Sequence, residues 1–247
     1  MKSVLISDIH LSPSHPELTQ AFNHFIDSLP ETVGELYILG DLFEFWLGDD
    51  DNSVFATDVI RKLQRLGQSG VRLYFQRGNR DYLVGRTFAK QTGCEILPDF
   101  VVRDICGHRV LLTHGDLLCT DDRAYQRFRK RFQNPTMKWI STRVPMSYRK
   151  RLVEQIRSKT KHSTSNKRDD IMDVNNTTVL EKFSQYNTKI MVHGHTHRPK
   201  LHSIASNERE LRRFTLGDWG ELIWWIEVDA HDLHLKSTPI TSTCIFS

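Results

Sequence analysis

The sequence predicts an α/β fold in which two packed β-sheets carry helices on both outer faces. Short, nearly continuous runs of apolar and β-branched residues recur along the chain, as expected for strands that are buried on both faces. Helical patterns separate the first three runs, whereas the chain after residue 197 contains only strand patterns. The 247 residues are 38% hydrophobic and 26% charged, and no apolar run approaches the ~20 residues that span a bilayer, which excludes collagen-like, disordered and membrane-spanning classes.

Five apolar runs are the predicted buried strands. They are Val4–Ile6, Leu36–Leu39, Val71–Phe75, Val110–Leu112 and Ile190–Val192. The spacing over Pro16–Ser28 predicts a first helix with Leu18, Phe22 and Phe25 near one face. A second helix is predicted over Ser53–Leu66, and we expect the three aspartates at 49–51 to cap its N-terminus.

The remainder of the α/β pattern consists mostly of strands. Hairpin strands are expected from Phe100 onward. After His197, four more strands are predicted over Leu201–Ile204, Leu211–Leu216, Glu221–Val228 and Leu233–Lys236. The chain beyond Pro239 carries no motif, and we expect an irregular tail there.

A strongly basic segment interrupts this pattern. The net charge of the chain is only +4, but residues 123–168 contain fifteen Lys or Arg and one acid. The spacing of Tyr125, Phe128 and Phe132 predicts an amphipathic helix with a cationic polar face. We therefore expect a body made of residues 1–122 and 169–247, which carries residues 123–168 as a helical cap that does not fold independently. Such charge asymmetry favours an anionic partner.

The cysteines indicate a reduced environment. Cys94, Cys106, Cys119 and Cys244 show neither a disulfide framework nor zinc-ligand spacing, and no apolar signal segment precedes the first strand. We expect free thiols and a cytoplasmic location.

Each predicted buried strand runs into a short polar motif. The motifs are Asp8-Ile9-His10, Gly40-Asp41, Gly78-Asn79-Arg80-Asp81, His114-Gly115-Asp116 and Gly194-His195-Thr196-His197. Binding sites in α/β sheets form outside the carboxyl ends of strands, so the five motifs are expected to converge. Two motifs hold paired residues two positions apart, and in an extended loop such residues point the same way.

Together the motifs supply four imidazoles, two carboxylates and one amide oxygen. These candidate ligands are His10, His114, His195, His197, Asp8, Asp41 and Asn79. The donor set suits divalent Mn, Fe, Co or Zn. Seven ligands are too many for one tetrahedral ion, and they suit two metals ~3.5–4 Å apart that share a carboxylate, the arrangement used in phosphoryl chemistry. His193 lies within its strand instead of after it, and a structural role is expected.

The ordered motif set resembles the calcineurin-like metallophosphoesterases. The resemblance implies a four-layer α/β/β/α sandwich with a dimetal centre among the loops at the sheet ends, here with the helical cap inserted. One metal would be held by Asp8, His10, Asp41 and His197. The other would be held by Asp41, Asn79, His114 and His195, with Asp41 bridging. Catalytic roles are implied for Arg80, Asn79 and His114.

Arg80 departs from the usual motif of this family. A histidine normally stands there and is assigned to protonating the leaving group or stabilising the transition state. Arginine is a poor proton donor but binds phosphate oxygens well. An alkoxide leaving group needs a proton, whereas a phosphate with a second pKa of ~6 does not. Arg80 therefore favours cleavage of a phosphoanhydride over an ordinary phosphomonoester.

Longer strings at residues 40–50, 78–81, 171–175 and 194–199 resemble, more narrowly, the UDP-2,3-diacylglucosamine diphosphatases of lipid A biosynthesis. This resemblance implies hydrolysis of UDP-2,3-diacylglucosamine to UMP and 2,3-diacylglucosamine 1-phosphate (lipid X), with metal-activated water attacking the phosphorus nearest uridine. It also implies two Mn²⁺ ions and peripheral attachment to the anionic cytoplasmic face of the inner membrane. The implied substrate contacts are Asn79, Arg80, Asp122, Thr160, Thr164, Lys167 and His195.

Two other functions are weighed against this one. A dimetal phosphodiesterase or nuclease of the same fold would suit a cationic cap, but it expels an alkoxide, which Arg80 disfavours, and we expect no nucleic-acid partner. A non-catalytic scaffold on this fold is expected to have lost ligands, and none of the seven is missing.

Overall fold

The computed structural model describes residues 1–152, 173–206, 209–242 and 245–246. The strands and helices follow in the order β1 (Lys2–Ile6), α1 (Pro16–Asp27), β2 (Val33–Leu39), α2 (Val54–Gln68), β3 (Arg72–Gln76), α3 (Arg86–Thr92), β4 (Glu95–Leu97), β5 (Val101–Ile105), β6 (His108–Leu112), α4 (Arg123–Phe132), α5 (Pro135–Ser141), α6 (Asn176–Tyr186), β7 (Ile190–His193), β8 (Lys200–Ser206), β9 (Arg209–Thr215), β10 (Leu222–Val228) and β11 (Leu233–Pro239). Residues 146–152 are also helical. None of the described helices has both the length and the apolar character needed to cross a membrane.

The strands form two sheets. The first has the order β11-β10-β1-β2-β3-β4, and the second has the order β5-β6-β7-β9-β8. Neighbours from β1 to β4 are parallel, and β6, β7 and β9 are parallel in the second sheet. Parallel pairing brings the carboxyl ends of β1, β2 and β3 to one edge, and those of β6 and β7 likewise. All five predicted buried strands are present.

Three apolar clusters fill the spaces between four layers. The cluster between the two sheets includes Leu5, Leu39, Val192 and Phe214. Helices α1, α2 and α3 pack on the outer face of the first sheet, and α6 packs on that of the second. The predicted α/β/β/α architecture is therefore confirmed. All seven residues of β2 are buried, including Glu35, which explains why the run Leu36–Leu39 is apolar without alternation.

The N-terminus of α2 differs from the prediction. Ser53, and not an aspartate, caps this helix, because its side chain accepts a hydrogen bond from the backbone N–H of Ala56. Asp49 instead caps α3, accepting from the N–H groups of Thr87 and Phe88 at 2.9 and 3.0 Å. Asp49 therefore caps a helix that begins more than thirty residues further along the chain.

The end of the chain is also more ordered than predicted. Ile245 is 5% exposed, and the Phe246 ring lies 5.1 Å from the Phe25 ring and 5.4 Å from the Trp225 ring. The described residues beyond Pro239 form no helix or strand, as expected, but Ile245 and Phe246 pack on the outer face of the first sheet beside α1.

The predicted cap is helical in its described part. None of the residues of α4 is buried, and Phe128 is 46% exposed. Leu152 is 56% exposed. Phe128 and Leu152 of the cap are therefore not covered by the described part of the chain, and Ile156 lies outside the described residues.

Candidate active site

The polar motifs meet at the carboxyl ends of the buried strands. Candidate ligand atoms of Asp8, His10 and His197 lie within 4.8 Å of one another, and so do those of Asp8, Asp41 and His114. Asp8 is shared by both groups. Asp8 and Asp41 are also among the most deeply buried polar residues, at 0% and 2% exposure.

Asn79 and His195 join the same cluster. Asn79 Oδ1 lies 3.0 Å from His114 Nε2. The His195 ring lies 5.1 Å from the His114 ring, and the backbone N–H of His195 donates to Asp8 Oδ2 at 2.9 Å. The fold thus brings all seven candidate ligands to one place.

The loops converge through left-handed backbone, not through extended backbone. Asp8, His10, Asp41, His195 and His197 have φ between 53° and 70°. The extended-loop argument for the paired residues is therefore wrong, although the pairs do converge. Such conformations cost about 1–3 kcal/mol each in a non-glycine residue, and they cluster at functional sites where the surroundings enforce them. Here the N–H groups of Ile9 and His10 both donate to Asp41 O, at 2.9 and 3.1 Å, and tie the first two loops together.

Two glycines permit close approach to the carboxylates. A Cβ atom on Gly78 would lie 2.1 Å from Asp41 Oδ1. A Cβ atom on Gly194 would lie 2.0 Å from Asp8 Oδ2. No other residue fits either position without displacing the carboxylate, because real Cβ atoms essentially never come within 3 Å of other heavy atoms.

Asp81 holds two of the loops in register. Its Oδ1 accepts from the N–H of Gly78 at 2.7 Å, and its Oδ2 accepts from the N–H of Leu42 at 2.8 Å. Burial and the nearby Asp41 carboxylate raise the pKa of Asp81 to about 7. Asp81 thereby fixes the loop that carries Asn79 against the loop that carries Asp41.

The His114 ring is oriented by the sheet. Its Nδ1 lies 2.9 Å from Leu39 O, so Nδ1 carries a proton and Nε2 faces the cluster. Burial lowers the pKa of His114, but the charges of Asp41, Asp8 and Asp116 outweigh it and raise the pKa to about 9. A cation beside Nε2 would take the place of the proton that this pKa favours.

Two carboxylates that sequence reasoning did not select contact the other histidines. Glu44 Oε2 lies 3.2 Å from His10 Nδ1, and Asp218 Oδ2 lies 3.5 Å from His197 Nδ1. Glu44 follows Asp41 by three residues, which was the available signal. Asp218 follows β9, far from every motif, and its sequence carries no comparable signal.

Two other histidines, His195 and His193, have lowered pKa values, in contrast to His114. Burial and the neighbouring His114 charge lower the pKa of His195 to about 4. Burial and Arg213 lower the pKa of His193 to about 3. His193 is buried in β7 and contacts Arg213 and Thr215 behind the cluster, at 3.0 and 3.2 Å. Its predicted position within the strand is confirmed.

The residues fit divalent cations. Asp8 Oδ1 is buried and accepts no hydrogen bond from the described residues. Burial raises the pKa of Asp8, but the contact with His197, whose Nε2 lies 3.4 Å from Asp8 Oδ1, and the charges of His114 and His10 hold it well below its ordinary value. An ionised, unsatisfied buried oxygen among imidazoles is the environment that a bound metal ion completes.

The predicted substrate contacts fall into three sets. Arg80 lies at the edge of the cluster, with its guanidinium over the Phe45 ring at 5.3 Å. Asp122 is buried and caps α4 by accepting from the Tyr125 N–H at 3.0 Å. Thr160, Thr164 and Lys167 lie outside the described residues.

Helix α4 is attached to the body beside the cluster. Asp116 Oδ2 accepts from the Tyr125 hydroxyl and from Arg129 Nε, each at 2.6 Å. The Tyr125 ring lies 6.0 Å from the His195 ring. The sequence pattern placed Tyr125 only on the apolar face of a helix. Its contact with Asp116 forms in the tertiary fold and cannot be inferred from the spacing of apolar residues.

Known proteins resemble this chain over most of its length. A family model described as calcineurin-like phosphoesterase matches residues 1–199. A protein from Tolumonas auensis named UDP-2,3-diacylglucosamine hydrolase is 42% identical over 98% of this chain and 99% of its own length. Proteins of the same name from Histophilus somni and Vibrio vulnificus are 42% and 40% identical, over 93% and 97% of this chain and 97% and 98% of their own lengths.

Among solved structures, an archaeal phosphodiesterase aligns with 97% of this chain and 99% of its own, at 15% identity and a TM-score of 0.49. The family match and the extent of the curated relatives agree with the arrangement of the strand-end loops. The chain belongs to the calcineurin-like phosphoesterase family, among the relatives named UDP-2,3-diacylglucosamine hydrolase.

Proposed function

We propose that this protein hydrolyses the phosphoanhydride of UDP-2,3-diacylglucosamine to UMP and 2,3-diacylglucosamine 1-phosphate. The observation that carries the proposal is a complete set of seven metal-ligand candidates with an arginine, not a proton donor, at its edge. Curated relatives that carry this substrate in their names match nearly the full chain, which supports the choice of substrate.

Two divalent ions, most simply Mn²⁺, are proposed at the cluster, where they supply Lewis acidity and lower the pKa of a water toward neutrality. One ion would be held by Asp8, His10, Asp41 and His197, and the other by Asp41, Asn79, His114 and His195, so that Asp41 would serve both. The hydrogen bond between Arg80 N–H and Asp41 Oδ1, at 2.8 Å, leaves Oδ2 facing His114 Nε2 at 3.7 Å. Asp8, assigned here to one ion, belongs to both geometric groups of candidate ligands.

The side chains of the cluster have different proposed roles in binding and orienting the substrate. Arg80 would bind phosphoryl oxygens and stabilise their charge in the transition state. Asn79 and His114, as ligands, would hold the second ion beside the reacting phosphorus, which we take to be the one nearest uridine. The departing sugar phosphate needs no proton, so no general acid is required from the chain.

We propose that the cap, residues 123–168, completes the substrate site on the body formed by 1–122 and 169–247. The proposed contacts are Thr160, Thr164 and Lys167 in the cap and Asp122 at the end of the first part of the body. Helix α4 reaches His195 through Tyr125, so a group held by the cap would lie beside the cluster. The cations of the cap would lie near the diphosphate.

The cap is also the proposed membrane contact, on the cytoplasmic face of the inner membrane. Five of the nine exposed large hydrophobic residues found in the described part of the chain belong to it: Phe128, Trp139, Ile140, Tyr148 and Leu152. Exposed aromatic residues among cations are typical of helices that lie at an anionic lipid surface.

The assay that tests the proposed function measures UMP release from UDP-2,3-diacylglucosamine with added Mn²⁺, against a model phosphodiester at the same concentration. We expect UMP release to be much faster than phosphodiester cleavage. Faster cleavage of the phosphodiester would instead indicate a dimetal phosphodiesterase. In ¹⁸O-water, attack at the phosphorus nearest uridine places the label in UMP, and label in the sugar phosphate would contradict that step.

A further inference from the structure

We infer that Glu44 is a positioning residue that orients two members of the site at once, the imidazole of His10 and the guanidinium of Arg80. The inference rests on the proposed metal centre but not on the identity of the substrate. Glu44 lies where the loops that follow β1, β2 and β3 come together.

The backbone fixes Glu44 beside the first loop. Its N–H donates to Leu11 O at 3.0 Å, and the N–H of Leu11 donates to Leu42 O at 2.9 Å. Leu11 and Phe43 form a short parallel bridge. The backbone of Glu44 is therefore held next to the first loop by hydrogen bonds that do not depend on its own side chain.

The contact with His10 favours one tautomer. Nδ1 of His10 lies 3.2 Å from Glu44 Oε2, an ion-pair contact outside hydrogen-bond geometry, whereas Nε2 lies 3.4 Å from Nε2 of His197. A carboxylate at Nδ1 favours the proton there and leaves the Nε2 lone pair for a metal ion. Since the Glu44 side chain is only 18% exposed, its charge is screened less than that of a surface acid.

The contact with Arg80 sets the direction of the guanidinium. Arg80 Nη1 lies 3.8 Å from Glu44 Oε1, and the guanidinium lies over the ring of the next residue, Phe45. The Arg80 carbonyl accepts from the Trp46 N–H at 3.1 Å, so the third loop is attached to the same short segment. The two oxygens of one carboxylate thus face a metal-ligand histidine and the phosphate-binding arginine.

Asp218 provides a matched comparison. It also lies close to Nδ1 of a ligand histidine, His197, at 3.5 Å, but its side chain is 48% exposed. The described contacts of Asp218 do not include Arg80. Removing its charge should therefore weaken metal binding less, and should leave Arg80 unaffected.

The first measurement is Mn²⁺ binding by calorimetry to the metal-stripped full chain, without substrate. We expect Glu44→Gln to raise the Mn²⁺ dissociation constant by about tenfold or more, as loss of outer-sphere carboxylates does. Asp218→Asn should raise it less. Glu44→Asp keeps the charge and should lie closer to the wild type than Glu44→Gln, which separates positioning from a general loss of structure.

The second measurement is hydrolysis of UDP-2,3-diacylglucosamine at saturating Mn²⁺. Glu44→Gln should retain a kcat defect of roughly tenfold or more, because Arg80 is misaligned even when the metal sites are filled. Asp218→Asn should recover the wild-type kcat. A Glu44→Gln dissociation constant within twofold of wild type, equal impairment by Glu44→Asp, or full recovery of kcat at saturating Mn²⁺ would each overturn the inference. If the wild type did not hydrolyse this substrate, the Mn²⁺ binding results would still decide the contact with His10.

Discussion

At the scale of single residues, Arg80 is the position in the sequence that most directly indicates the type of reaction. It is a third exposed at the edge of the cluster, where its guanidinium is free to reach phosphoryl oxygens while its backbone N–H holds Asp41. We expect Arg80→Ala to lower kcat by about 10²–10³-fold, the usual loss for one transition-state donor. Mn²⁺ affinity should change little, because Arg80 is not a ligand. Arg86→Ala, at the exposed start of α3, is the matched control, and near-full activity of Arg80→Ala would contradict the role assigned to it.

A second prediction at the scale of single residues concerns the substitution of Gly78. In Gly78→Ala the new Cβ would lie 2.1 Å from Asp41 Oδ1, so either the carboxylate or the loop must move. We expect a loss of Mn²⁺ affinity and of activity together, measured by calorimetry and by UMP release. Gly220→Ala is the control, because nothing lies within 4 Å of a Cβ there. Equal behaviour of the two variants would mean that close approach at Asp41 is unimportant.

Residue identity was predictable at the site, but local conformation was not. The seven candidate ligands could be selected because each follows a buried strand. The left-handed φ values of five of them could not, since Asp and His favour other conformations and the hydrogen bonds to Asp41 O come from a different loop. Asp218 was not predictable for a similar reason, because its contact with His197 depends on how the chain after β9 returns.

At the scale of elements, the buried strands follow directly from hydrophobic pattern. A strand covered on both faces places apolar residues at consecutive positions, as Leu36–Leu39 of β2 show. The capping of helices and the attachment of the helical cap (residues 123–168) to the body depend instead on residues that are distant in the sequence. Asp49 caps α3, and Asp116 accepts a hydrogen bond from α4. Neither contact can be inferred from neighbouring positions in the sequence.

The second attachment of the cap is Arg149, in helical residues 146–152. It is 6% exposed and donates to the carbonyls of Val144 and Leu47 and to both oxygens of Asp50. Arg149→Ala would leave these carbonyls unpaired, which costs about 1–3 kcal/mol of unfolding free energy. For a chain of this size, each kcal/mol lowers Tm by about 2–4 °C. Arg151→Ala, an exposed arginine in the same helical residues, should leave Tm unchanged, and identical unfolding of the two variants would contradict this attachment.

At the scale of the whole molecule, charge is distributed unevenly. The net charge of +4 results from a strongly basic cap on an acidic body that includes the carboxylates of the cluster. The asymmetry was visible in the sequence, but it fits nucleic acid and anionic lipid equally well. The strand-end ligands and Arg80 are what favour a lipid-linked nucleotide.

Membrane contact through the cap predicts a charge-dependent affinity for vesicles. Each cation near an anionic surface contributes ~1 kcal/mol, so Lys130→Gln with Arg131→Gln should weaken sedimentation with anionic vesicles by roughly 25-fold. The matched control is Arg61→Gln with Lys90→Gln, which removes two exposed cations from the body. Binding that is insensitive to salt, or equally weakened by both double variants, would contradict a membrane contact on the cap.

The most direct test of the central claim follows product formation while metal is returned to the stripped protein. We predict that UMP release from UDP-2,3-diacylglucosamine starts near background, rises as Mn²⁺ is added, and reaches its plateau at about two equivalents per chain. Full activity of the stripped protein, or no UMP release at any Mn²⁺ concentration, would contradict a dimetal phosphoanhydride hydrolase.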